Sequence, residues 1–167
     1  MSDTRSLEIT WEDPSIIAKA AFSMQGVEFL QKIASGEIPE APIMRLIDMH
    51  NGEASEGKAA FVCTIGEQHY SALGTVHGGI AATLLDTALG CAIHTMLPAG
   101  VGYTTLELHV NYIRPMSIQT GRIRCEGEVI HVGRSMATAQ ARIVDAAGKL
   151  YAHATTTCMI LRPTEPS

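Results

Sequence analysis

The stretch from Gly78 to Pro98, GGIAATLLDTALGCAIHTMLP, decides the fold. Its apolar and small residues surround one acidic side chain, Asp86, with Thr83, Thr87, His94 and Thr95 as further polar interruptions. So interrupted, it reads as a core helix rather than a membrane span, starting near Gly78 or Gly79 and stopping before Pro98. A helix with so few charges needs burial on nearly every side.

The segments downstream can supply that cover. Leu106, Leu108, Val110 and Tyr112 alternate with Thr105, Glu107, His109 and Asn111, the period of a strand with one buried face. Gly121 to Val132, Ser135 to Asp145 and Leu150 to Leu161 read as three further strands, the last two joined by a DAAGK turn.

Upstream, Ile17, Ala20, Ala21, Met24, Val27, Phe29, Leu30 and Ile33 recur at helical spacing between Pro14 and Ala34. Asp13 and Pro14 form a good start, whereas Gly26 weakens the case for one unbroken helix. An extended IPEAP connector follows, then two expected strands, Ile43 to Met49 and Lys58 to Ile65, joined by a turn around Asn51 and Gly52. The order predicts an α+β domain over residues 37–167, an antiparallel sheet wrapped around one long central helix, with an additional N-terminal helix in residues 1–36.

At 167 residues and 46% hydrophobic content, the chain suits a single core. A net charge of -5 without a basic run speaks against nucleic acid as a partner. Cys63, Cys91, Cys125 and Cys158 show neither a CxxC pair nor zinc-like spacing, so reduced thiols and no metal are expected. The first twelve residues lack the apolar core of a secretory signal, and a cytoplasmic location is the expectation.

Chemistry concentrates in Ser71 to Thr87, SALGTVHGGIAATLLDT. Gly78 and Gly79 at a helix start leave N–H groups at the positive end of the dipole, suited to an anion or a developing oxyanion, although such a pair is also a common tight turn. Asp86, on a helix otherwise apolar, is expected to be partly desolvated. It is either a carboxylate bonded to a neighbouring hydroxyl or amide, or a base or nucleophile in a cleft. Helix geometry adds a constraint: eight residues separate Gly78 from Asp86, roughly 12 Å at 1.5 Å per residue, so one chain cannot bring both to one carbonyl. A two-fold dimer, or a dimer of dimers, removes the conflict.

With GTVHGGIAATLLDTALG and AGVGYTTLELHVNYIRP, the chain from about Gly36 to Leu161 resembles the PaaI-type hotdog-fold acyl-CoA thioesterases. The resemblance implies an enzyme that hydrolyses an acyl- or aryl-CoA to free acid and CoA. It implies an oxyanion-binding N–H at Gly78, a catalytic carboxylate at Asp86, and a hydroxyl at Thr105, with Thr104 as the alternative. Ser71 stands where close relatives carry Asn or Gln. In the implied dimer, Ser71 and Gly78 of one chain face Asp86 and Thr105 of the other. Gly79 adjoins the oxyanion position, and His77 suits a hydrogen bond that fixes the loop. Arg134, after Gly133, and Ser135 beside it are the candidates for the phosphates of CoA, ahead of Arg114 and Arg122. No cofactor is expected, since coenzyme A is part of the substrate. Phe61, Tyr70, Leu84, Leu89, Met96 and Tyr103 are candidate acyl-pocket residues. Two rivals are an acyl-thioester hydratase or dehydratase, whose Asp–His motif is not found here, and a non-catalytic acyl-CoA-binding protein.

Overall fold

The computed structural model describes residues 3–163. Three short helices, α1 (Pro14–Ser23), α2 (Gly26–Ala34) and α3 (Pro42–Leu46), precede strands β1 (Met49–Ser55) and β2 (Lys58–Thr64). The long helix α4 (Gly78–His94) follows, and then β3 (Gly102–Tyr112), β4 (Arg122–Val132), β5 (Met136–Asp145) and β6 (Leu150–Leu161). The strands form one antiparallel sheet in the order β1-β2-β4-β5-β6-β3, which leaves β1 and β3 at its edges.

Helix α4 packs against β2 to β6, with Leu84, Leu85, Ala88, Leu89, Ala92 and Ile93 wholly buried. Contact at this range requires small residues. A Cβ on Gly127 of β4 would collide with the carbonyl oxygen of Ala88, and the Cys125 thiol donates to the Leu84 carbonyl at 3.3 Å. No helix among the described residues is long and apolar enough to cross a membrane.

Three expectations need correction. Ile43 to Met49 is not a strand: Pro42 occupies the first turn of α3, where its missing N–H costs nothing. The first strand starts instead at Met49, after Asp48 turns the chain with φ of 50°. Asn51 and Gly52 then lie inside β1, at a bulge between Asn51 and Glu53, and the turn is made by Glu56 and Gly57, whose φ is +76°. The alternation in β3 is also interrupted. A bulge between Thr105 and Glu107 leaves Leu106 56% exposed, and Tyr112 near the strand end is 58% exposed.

The N-terminal helical stretch divides at Met24 and Gln25, immediately before Gly26. Phe29, Leu30 and Ile33 of α2 join the same apolar core as α4 and β1. The Gly26 N–H donates to the Leu97 carbonyl at 3.0 Å, and a Cβ there would collide with the His94 carbonyl oxygen. Gly26 is thus what lets α2 seat against the C-terminal end of α4. Gly26→Ala is expected to cost about 1–3 kcal/mol, the usual range for overpacking a tight contact, read as a lower thermal midpoint. An unchanged midpoint would contradict this seating of α2.

Candidate active site

Asp86 lies midway along α4, half-buried, on the side that faces β3. The Thr105 hydroxyl donates to its Oδ1 at 2.9 Å, and the Cys158 thiol lies 3.9 Å from that hydroxyl. Thr104 is exposed, so of the two threonines it is Thr105 that meets the carboxylate. Oδ2 has no hydrogen-bond partner among the described residues, and no cation pairs with Asp86 there. The nearby Cys91 thiol is pushed by burial up to about 12, against an opposing hydrogen bond from Tyr103, which keeps it protonated and unreactive.

At the start of α4, His77 is the N-cap. Its Nδ1 accepts the Gly79 N–H at 2.9 Å, so that amide is already committed. The Gly78 N–H, at the first helical position, has no partner among the described residues. Tyr112, which was not among the expected site residues, lies beside Gly78: its hydroxyl donates to the Gly78 carbonyl at 3.2 Å. The Ser71 hydroxyl accepts from Leu73 N–H at 3.3 Å, and the Ser71 backbone bonds Thr75 and Gly74, so this side chain shapes the loop before the helix. The Tyr70 hydroxyl accepts the Ile118 N–H at 2.8 Å, which ties that loop to the segment after β3. Arg134 and Ser135 are exposed in the β4–β5 turn, held by Arg162 on the Arg134 carbonyl and by Ile160 N–H on the Ser135 carbonyl.

A cavity of about 240 Å³ adjoins Asp86 and Thr105. Of the candidate acyl-pocket residues, Phe61 and Tyr103 line it, while Leu84 and Leu89 are buried in the core and Met96 is exposed outside it. Most of its remaining wall comes from residues outside the expected acyl-pocket set: Ile17, Phe29, Leu30 and Ile33 from α1 and α2, Met44 from α3, and Asn51 from β1. The apolar face of the N-terminal helix was the available signal, since such a face must cover something.

An antiparallel sheet wrapped around one helix, with a hydroxyl-held carboxylate on that helix beside an apolar cavity, defines the hotdog class of fold. The sequence profile of the thioesterase superfamily matches residues 73–152. A candidate esterase of Halobacterium salinarum is 41% identical over 73 residues, 42% of this chain and 46% of that protein. The match therefore spans less than half of that relative's length. A candidate esterase of Saccharolobus solfataricus is 30% identical over 120 residues, 72% of this chain and 84% of that one. Human acyl-coenzyme A thioesterase 13 is 28% identical over 100 residues, 59% of this chain and 70% of that protein. Among solved structures, a thioesterase of Haemophilus influenzae superposes with a TM-score of 0.70 at 19% identity, over 83% of this chain and 92% of that one. The chain belongs to the thioesterase superfamily.

Asn51 is held in the cavity wall by a polar cluster at the edge of the sheet. Its N–H donates to Glu40 Oε1 at 3.3 Å, Glu40 also meets His50 Nδ1 at 3.1 Å, and His50 Nε2 meets Asp48 at 3.1 Å. Burial pulls the His50 pKa down, but the bonds to Asp48 and Glu40 and their charges outweigh it, and the net shift is upward. The unfolded chain binds that proton less tightly, so the cluster stabilises the fold fully below the ordinary histidine range and loses this contribution as pH rises through the raised value. Arg45 lies 3.5 Å from Glu40 on its other side. The difference in denaturation midpoint between the native protein and His50→Gln is accordingly expected to be larger at about pH 6 than at about pH 8.5. A difference independent of pH would show that His50 does not gain a proton on folding.

Proposed function

We propose that the protein is an acyl-CoA thioesterase in which Asp86 activates the attack on the thioester. The observation that carries this reading is the Asp86 carboxylate, oriented by Thr105 with its second oxygen free, beside a mainly apolar cavity. Either Oδ2 takes a proton from water as the water adds to the carbonyl carbon, or the carboxylate adds itself and water releases the resulting anhydride. In both routes the carbon–sulfur bond breaks, the CoA thiolate leaves, and the acid is released. The free Gly78 N–H, at the positive end of α4, suits the oxygen that gains charge. Arg134 and Ser135 are the proposed contacts for the phosphates of CoA, and coenzyme A enters only as part of the substrate.

The reading requires two chains. Gly78 and Asp86 begin and centre the same helix, roughly 12 Å apart, and a thioester carbonyl must lie within a few ångströms of both. A two-fold pair that sets the helix start of one protomer against Asp86 of the other meets this demand. The unpaired edge of β3, with Leu106 and Tyr112 exposed, supports such an association.

Asp86→Asn is nearly isosteric and is expected to lower acyl-CoA hydrolysis by about 10²–10⁴ with the fold retained by circular dichroism. Near-native turnover in that variant would remove Asp86 from the mechanism. The shared site is tested by reassembling Asp86→Asn protomers with protomers inactivated by Gly78→Val. A mixed dimer holds one site with both defects and one with neither, so up to about half the native activity should return per heterodimer. If mass measurement confirms the mixed dimer and no activity appears, the site is not shared in this way.

A further inference from the structure

The first turn of α4 offers the amide whose placement matters most to the proposed chemistry, yet its own residues do little to hold it. Gly78 and Gly79 have no side chains with which to grip the sheet, and glycine has the most backbone freedom to lose. His77 caps the turn through the Gly79 N–H, but as the adjoining residue it moves with the turn. The loop ahead is anchored by the His77 N–H on the His69 carbonyl at 2.8 Å, a bond that lies before the helix. At the turn itself the tie comes from across the sheet. Tyr112, the last residue of β3, donates its hydroxyl to the Gly78 carbonyl at 3.2 Å. Its ring sits against the same residue, since a Cβ on Gly78 would come within 3.3 Å of Cζ and 3.4 Å of Cε1 and of the hydroxyl oxygen. No other side chain bonds to Gly78 among the described residues.

The same strand holds the other half of the chemistry. Thr105 of β3 donates to Asp86, and Tyr112, seven residues further along β3, donates to Gly78, eight residues before Asp86 on α4. Strand and helix run in opposite directions and are pinned to each other at both groups. In the two-chain arrangement Gly78 and Asp86 of one protomer serve different sites, so a single β3 sets the donor of one site and the carboxylate of the other. Tyr112 is also 58% exposed, and little buried area depends on it. Its loss therefore need not unsettle the core.

We propose that Tyr112 is a positioning residue for hydrolysis: its hydroxyl fixes the first turn of α4 so that the Gly78 N–H meets the thioester oxygen as that oxygen gains charge. This rests on the thioesterase reading above, with Gly78 as the donor. Displacing a reacting group by about 1 Å can cost about 10² in rate, and deleting an oxyanion donor costs about 10²–10³ in kcat, so a loosened donor costs less than either. The donor matters most when charge has developed, and its loosening therefore falls on kcat and not on KM.

The test measures kcat, KM and thermal midpoint for the native protein, Tyr112→Phe and Tyr112→Ala. The substrate is whichever of acetyl-CoA, hexanoyl-CoA, benzoyl-CoA and palmitoyl-CoA the native protein hydrolyses fastest. Tyr112→Phe keeps the ring and loses only the hydroxyl, and is expected to lower kcat by about three- to tenfold with KM within about twofold of native and the midpoint kept. Tyr112→Ala loses the ring as well, and kcat should fall by about 10–10². A kcat within about twofold of native in Tyr112→Phe would overturn the proposal. So would a raised KM at unchanged kcat, which makes Tyr112 a substrate contact, or a lowered midpoint at unchanged kcat, which makes its role structural alone. Tyr112→Phe is decisive even if Tyr112→Ala fails to fold or changes its association state by mass. Hydrolysis of none of the four thioesters would overturn the thioesterase reading itself, whereas native-like hydrolysis by Tyr112→Phe overturns the positioning role alone.

Discussion

The close approach of α4 to the sheet is the constraint on which the rest of the molecule depends. A helix carrying one acid among seventeen residues must be covered on nearly all sides, and the sheet covers it only because Gly127 lets the strand pass against the Ala88 carbonyl. At this separation Cys125 can reach the Leu84 carbonyl, and Thr105 can reach Asp86. A longer separation would leave the carboxylate facing water instead of a hydroxyl. The geometry of the site is thus a by-product of how the core is packed.

The end of α4 depends on the N-terminal arm in the same way. Phe29 of α2, His94 of α4 and Tyr103 of β3 pack in sequence as mutually tilted rings, with centroids 5.3 Å and 5.7 Å apart. Burial pushes His94 down, so the ring stays neutral in this apolar setting, and it pushes the Tyr103 phenol well up. Both rings therefore act as uncharged packing surface at neutral pH. The arm is part of the core and not a tail laid over it.

Helix α4 and the strands after it could be read from the chain because each carries its own period and its own stops, and the DAAGK turn between β5 and β6 is local chemistry. Asp86 was legible for a related reason, since a lone acid in an apolar helix must be paired or used. Two features escaped because they depend on partners distant in sequence. Asn51-Gly52 has the composition of a hairpin turn, and only the register against β2 makes it a bulge. Pro42 opens a helix as readily as it extends a connector, and nothing nearby in the chain decides between them. The cavity wall escaped most completely, because α1, α2, α3 and β1 converge on it only in three dimensions.

The span that matches the superfamily, residues 73–152, contains Gly78, Asp86 and Thr105, while Ile17, Phe29, Leu30, Ile33 and Asn51 all lie before it. The groups proposed for bond-breaking thus fall within the matched span, while the walls of the neighbouring hollow come from both lengths of the polypeptide, with Thr87, Cys91 and Tyr103 inside that span. Drift in the leading third of the chain can reshape what fits beside the carboxylate only where it keeps α2 seated on the end of α4, at Gly26 against Leu97 and His94. A protein engineer who recasts the hollow from this arm must therefore carry its seat on α4 along with it.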